Sequence, residues 1–140
     1  MTRTGPRRLR LVVALLALSA SFSPAPVRAA DRITGTLTLL ARVALPPQAA
    51  VRVSLRDVSL ADAPAPEIAA LDLRPKHQPP LPFVLRYEKA RIHPAHTYAV
   101  SARVLVDGRL AFITTRVYPV ITRGAPRTVE MVLDPVGRRD

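Results

Sequence analysis

Short runs of alternating apolar and polar residues, each cut off by proline, constrain this chain more than any other feature of its sequence. The clearest run lies between two proline clusters. Pro46 and Pro47 precede Val51-Arg52-Val53-Ser54-Leu55-Arg56, and Pro64 and Pro66 follow it. A period of two places Val51, Val53 and Leu55 on one face and three polar residues on the other, the pattern of a half-buried strand. From Asp57 to Ala63 the alternation gives way to short polar side chains suited to Asx-type turns. Proline interrupts helices and central strands alike, and 15 of them in 140 residues divide the chain into short segments.

The same alternation recurs from Asp31 onward. Ile33, Gly35, Leu37 and Leu39 alternate with Thr34, Thr36 and Thr38. Ala50–Val58 forms the second expected strand, and Ile68–Leu73 a short third at an edge. Phe83, Leu85 and Tyr87 mark a fourth, with Pro82 near its start, where a missing N–H is tolerated. Thr97–Val106 and Arg109–Tyr118 make a fifth and sixth, and Val129, Met131 and Leu133 a seventh. Pro75, Pro79, Pro80, Pro94, Pro119 and Pro126 punctuate the intervals, and apolar spacing of 3.6 residues is absent from this part of the chain. The pattern predicts an all-β domain over residues 30–140, an antiparallel β-sandwich of about seven to eight strands of immunoglobulin-like kind.

One hairpin carries its own register. Asp107-Gly108 is the pair favoured where both turn residues need positive φ, so Val106 is expected to face Arg109. Unbroken pairing back from there places Val104 opposite Ala111, Ala102 opposite Ile113 and Tyr98 opposite Val117 on the core face. Leu105, Leu110 and Phe112 then share the other face near the hairpin tip. Either another element covers these three, the reading preferred here, or they form an exposed apolar patch for a partner.

Chemistry-bearing residues are sparse. His93 and His96 have the spacing of metal ligands, with His77 a third imidazole, but the only nearby acid is Glu88 and Pro94 forbids a regular helix face between them. Tyr98 has a structural explanation: a tyrosine at strand entry can bond back to the preceding loop, as in the tyrosine corner of Greek-key sandwiches. Asp57, Ser59 and Asp62 lack the glycine and closing glutamate of a calcium loop and read as turn caps. Ser54, Ser59 and Ser101 do not sit in a nucleophile elbow. We therefore expect no enzyme, no cofactor and no metal site.

The amino terminus sets the expected compartment. Arg3, Arg7, Arg8 and Arg10 precede LVVALLALSA, an apolar run of ten residues, and then SFSPAPVRAA. A basic head, a short apolar middle and a small-residue exit make a secretory signal peptide over residues 1–29, too short for a membrane span, with cleavage expected after Ala29. The full chain is +11; without its five leader arginines it keeps 16 basic and 10 acidic residues, a net +6. Arginine dominates over lysine, yet there is no tryptophan and few aromatics lie between the arginines, so nucleic acid is not an expected partner. The cysteine count is zero, so an exported domain of this kind must rely on its core rather than on disulfides.

The stretch from Ala44 to Pro66 also resembles the YbaY/YscW-type bacterial envelope family, which includes YbaY-type lipoproteins and YscW-type pilotins of type III secretion. The resemblance rests on the proline-rich turn, a strand ending in Asp57-Val58-Ser59 and the Ala61-Asp62-Ala63-Pro64 stretch, with a further His96-Thr97-Tyr98 step. It implies a non-catalytic periplasmic binding or envelope-maintenance module. The alternative it implies is a pilotin-like chaperone that assists outer-membrane secretin assembly, whose partner would be an envelope protein or a secretin segment. Many family members take a lipid on a cysteine at the cleavage point. This chain has none, so no stable membrane anchor is expected, and outer-membrane association only through a partner. A carbohydrate-binding sandwich is a third reading, without the usual exposed tryptophans.

Overall fold

The computed structural model describes residues 30–137. The expected leader and its cleavage point after Ala29 lie outside the described residues, apart from Ala30 itself, as do the last three residues of the 30–140 span. Eight strands follow in chain order: β1 Ala30–Leu39, β2 Ala50–Asp57, β3 Glu67–Leu73, β4 Leu81–Glu88, β5 Tyr98–Val106, β6 Arg109–Ile113, β7 Tyr118–Val120 and β8 Thr128–Pro135. A single 3-10 turn, Lys89–Arg91, follows β4. Among the described residues no helix is long and apolar enough to cross a membrane.

The all-β expectation holds, but the strands do not divide into two separate antiparallel sheets. They form one path in the order β3-β2-β5-β6-β8-β1-β4, with β7 pairing β5 beyond the end of β6. β1 runs antiparallel to β4 and parallel to β8, so the sheet is mixed. Alternation alone could not reveal this, because Val129, Met131 and Leu133 face inward whichever way the neighbouring strand runs. β3 and β4 end the path and pack against each other, which makes the sheet nearly a barrel. Arg91 lies at that seam. Its guanidinium donates to the main-chain carbonyl of Ile68 and, at 3.2 Å, to that of Glu67, occupying acceptors on the edge of β3.

The inward set is the alternating one. Val51, Val53 and Leu55 of β2, Phe83, Leu85 and Tyr87 of β4, and Val100, Ala102 and Val104 of β5 are all buried with Ile33, Leu37, Met131 and Leu133. Gly35 allows a close approach of backbone and ring in this core. A Cβ there would stand 2.3 Å from the Val129 carbonyl oxygen and 2.7 Å from the Phe83 ring. One end of the barrel is tied by a side chain acting as a peptide group. Gln78 Oε1 accepts from the Leu45 N–H at 2.7 Å, and Gln78 Nε2 donates to the Leu45 carbonyl at 2.9 Å. This closes the loop after β1 onto the loop before β4 and satisfies both backbone groups of a buried residue.

Candidate docking face

The hairpin turn has the expected geometry, with Asp107 at φ 51° and Gly108 at φ 75°. Val106 faces Arg109 and Leu105 faces Leu110, as the turn dictates. The register then shifts by one: Val104 faces Phe112 and Arg103 faces Ile113, leaving Ala111 as the extra residue of a bulge. One added residue exchanges the two faces. Phe112 therefore turns into the core and is 8% exposed, while Leu110 and Ile113 are 42% and 38% exposed. The expected grouping of Leu105, Leu110 and Phe112 is thus corrected. Ile113 takes the place of Phe112 on the outer side.

Past Ile113 the chain leaves the sheet. Thr114 still holds β5: its N–H donates to the Ala102 carbonyl at 3.0 Å, and its hydroxyl oxygen accepts from the Ala102 N–H at 3.1 Å. Thr115–Val117 then lie outside any strand, and pairing resumes with Tyr98 opposite Val120 rather than Val117. The expected sixth strand is therefore two. Tyr118 compensates for the gap on β8, its hydroxyl accepting from the Val132 N–H at 2.9 Å.

Beside Ile113, the outer face of β2 and β5 forms a shallow cavity of about 290 Å³ between Arg52, Ser54, Arg56, Arg103 and Thr114. Its charges are unevenly matched. Arg52 makes two bonds to Asp72, at 3.0 and 2.8 Å, and one to Glu67 at 2.7 Å. Arg56 stands 3.7 Å from Glu67. Ser54, buried in the sheet, donates to Glu67 at 2.9 Å. That bond first, and Arg52 beside it, hold the Glu67 carboxyl below its ordinary pKa. Arg103 is exposed, and among the described residues it forms no ion pair. The face therefore joins an aliphatic end, Leu105, Leu110 and Ile113, to a basic one.

The other site residues read from the sequence converge elsewhere. Asp57 Oδ1 accepts from the Ser59 N–H at 3.0 Å and its hydroxyl at 2.5 Å, and Asp57 Oδ2 lies 2.6 Å from His96 Nδ1. The Ser59 oxygen in turn accepts from the Thr97 N–H at 2.9 Å. Serine, aspartate and histidine thus meet, but the carboxylate sits between the other two. A hydroxyl bonded to a carboxylate and to an amide has no imidazole to take its proton, so the cluster fastens the loop after β2 to the entry of β5. Asp62 is an exposed turn residue. The His93 and His96 rings lie 4.7 Å apart, and His93 Nδ1 accepts from the Ala95 N–H at 3.2 Å. Among the described residues, no three His, Cys, Asp or Glu side chains gather as a metal site would require. Tyr98, fully buried, accepts at its hydroxyl from the His93 N–H at 2.9 Å. The bond runs back to the preceding loop, to an amide N–H rather than to a carbonyl.

A family model described as type III secretion system lipoprotein chaperone (YscW) matches residues 28–133. The uncharacterized lipoprotein YbaY of Escherichia coli (strain K12) is 37% identical over 119 residues, 84% of this chain. The chain spans 62% of that relative's length. The solved structure of an alternative pilotin from the type II secretion system of Vibrio cholerae superposes with a TM-score of 0.75 at 45% identity, covering 79% of this chain and all of that one.

Proposed function

The chain belongs to the YscW family, and from that premise we propose that it is an exported, non-catalytic envelope protein that holds a segment of a partner on the outer face of β2, β5 and β6. The observation that carries the reading is the adjoining of Leu105, Leu110 and Ile113 to Arg103 on one exposed surface. A segment with aliphatic residues beside a carboxylate would bury the first group and pair with the second. Such complementarity fixes orientation and suppresses wrong partners. The likeness to a type II secretion pilotin supports an outer-membrane secretin subunit as that partner. The likeness to a lipoprotein named without any secretion system supports the second reading, an envelope-maintenance role with a different partner.

A photo-crosslinker placed at Ile113 in intact cells tests the proposal. The expected product is a single dominant envelope adduct that is lost when Arg103→Glu is added. A secretin in that adduct selects the pilotin reading, and another envelope protein selects the second. An Ile113 probe that yields no adduct, while a probe on the opposite side of the barrel does, overturns this face as the site. Export itself is tested by amino-terminal sequencing of the protein recovered from the periplasm, which should begin at Ala30.

A further inference from the structure

A second cavity lies away from the docking face, at the end of the barrel where β4 runs into the 3-10 turn and the β7–β8 loop returns. It measures about 310 Å³, at the lower end of the range for small-ligand sites. Lys89, Arg123 and Arg127 bring three cations to it, and Ile92, Pro94 and Ile121 supply apolar walls. Tyr87 forms part of its lining. That residue is 3% exposed, and its buried hydroxyl makes no hydrogen bond of good geometry, although the Asp31 carboxylate, opposite it in β1, acts on it. Buried hydroxyls are nearly always bonded, so an orphan at a cavity wall points to a group that arrives from outside.

Asp31 is the carboxylate paired with Arg127, and it also accepts from the Arg32 N–H at 2.9 Å. Lys89 and Arg123 are both exposed and enter no ion pair among the described residues. The loop that carries Arg123 is held in an unusual conformation. Ile121, Arg123 and Gly124 have φ of 74°, 56° and 79°, and a β-branched residue seldom adopts the left-handed region. Burial, above all, raises the Tyr87 pKa from its ordinary value, so at neutral pH the phenol remains a neutral donor.

From this arrangement we infer that the cavity binds the anionic head of a small single-chain amphiphile, a carboxylate or phosphate on a short apolar body. The oxyanion receives the Tyr87 hydroxyl and the charges of Lys89 and Arg123. The apolar body lies against Ile92, Pro94 and Ile121. A free inorganic anion would leave those walls uncovered, and a neutral chain would leave the phenol and the cations unanswered.

Calorimetric titration of the folded domain with sodium octanoate tests this, with octanamide as the neutral match and inorganic phosphate as the bare anion. Octanoate should bind saturably and roughly tenfold more tightly than octanamide, the worth of one charge-assisted hydrogen bond. Tyr87→Phe and Arg123→Gln should each weaken octanoate by about the same factor. Because the Tyr87 hydroxyl is orphaned, Tyr87→Phe should also leave the urea midpoint of the ligand-free protein unchanged. Equal binding of octanoate and octanamide would overturn the inference, as would phosphate binding as tightly as octanoate. A Tyr87→Phe protein that loses stability without ligand would show the hydroxyl to be satisfied inside the fold, by Asp31, and would overturn it too.

Discussion

The Asp57 carboxylate, at the end of β2, lies 2.6 Å from the imidazole of His96, at the entry to β5 and 39 residues further along the chain. The same carboxylate takes both the N–H and the hydroxyl of Ser59. Two segments remote in sequence are thereby joined through one acid, with the Val58 N–H to Thr97 carbonyl bond at 2.8 Å alongside.

The Ser59 hydroxyl, with His96 adding to it, lowers the pKa of Asp57 below its ordinary value. A carboxyl depressed in the folded state stabilises the fold above its unfolded pKa, and that contribution is lost as pH falls through the folded value. Asp31 and Glu67 are shifted in the same direction, the first mainly by the Arg32 amide and the second mainly by Ser54. The protein should therefore lose stability progressively below about pH 4. Asp57→Asn should cost about 1–2 kcal/mol at pH 7. Urea midpoints of the two proteins should converge towards pH 3. A gap that persisted undiminished in acid would show that the charge of Asp57 contributes nothing.

Tyr98→Phe removes one hydroxyl from a filled position and leaves the His93 N–H without its acceptor. The expected loss is about 1–3 kcal/mol, the cost of an unsatisfied group, read from urea unfolding. Amide exchange at His93 should also become faster in the variant. Unchanged exchange at that amide would remove the bond from the account of how the loop is held.

Gly35→Ala tests the centre of the sheet. The added methyl would meet the Val129 carbonyl and the Phe83 ring together. The ring can turn, but the carbonyl belongs to a strand paired with β1, so β1 and β8 must separate. We expect a loss of about 1–3 kcal/mol, the usual cost of overpacking a filled core. Pairing Gly35→Ala with Phe83→Leu should recover little of it, because the backbone contact remains.

What the sequence revealed follows from how far each signal reaches. Val51, Val53 and Leu55 face inward because their period is local, and the Asp107-Gly108 turn was readable because positive φ selects those residue types. The parallel partnership of β1 with β8 was not, since a strand's alternation is blind to its neighbour's direction. The Gln78 clamp on Leu45 was hidden for a different reason: a glutamine beside two prolines reads as a polar loop residue until a backbone 33 residues away comes within reach. The bulge at Ala111 lies between these cases. Ala111-Phe112-Ile113 fits either register by hydrophobicity alone, and only the interior's need for the bulkier ring decides it.

That bulge supplies the sharpest comparison of adjacent residues. Phe112 lies in the core opposite Val104, and Ile113 lies outside opposite Arg103. Phe112→Glu would bury an unpaired charge where an aromatic ring now packs, so it should cost about 3–5 kcal/mol or prevent folding. Ile113→Glu should leave the urea midpoint within about 0.5 kcal/mol of the parent, as surface changes usually do. It would also place a carboxylate beside Arg103 and so mask the cation that the proposed partner needs. Capture of the crosslinked partner should therefore fail in a protein that remains folded. The unbroken register would instead turn Ile113 into the core opposite Ala102 and make Ile113→Glu costly as well, so the unfolding curve of Ile113→Glu decides between the two registers.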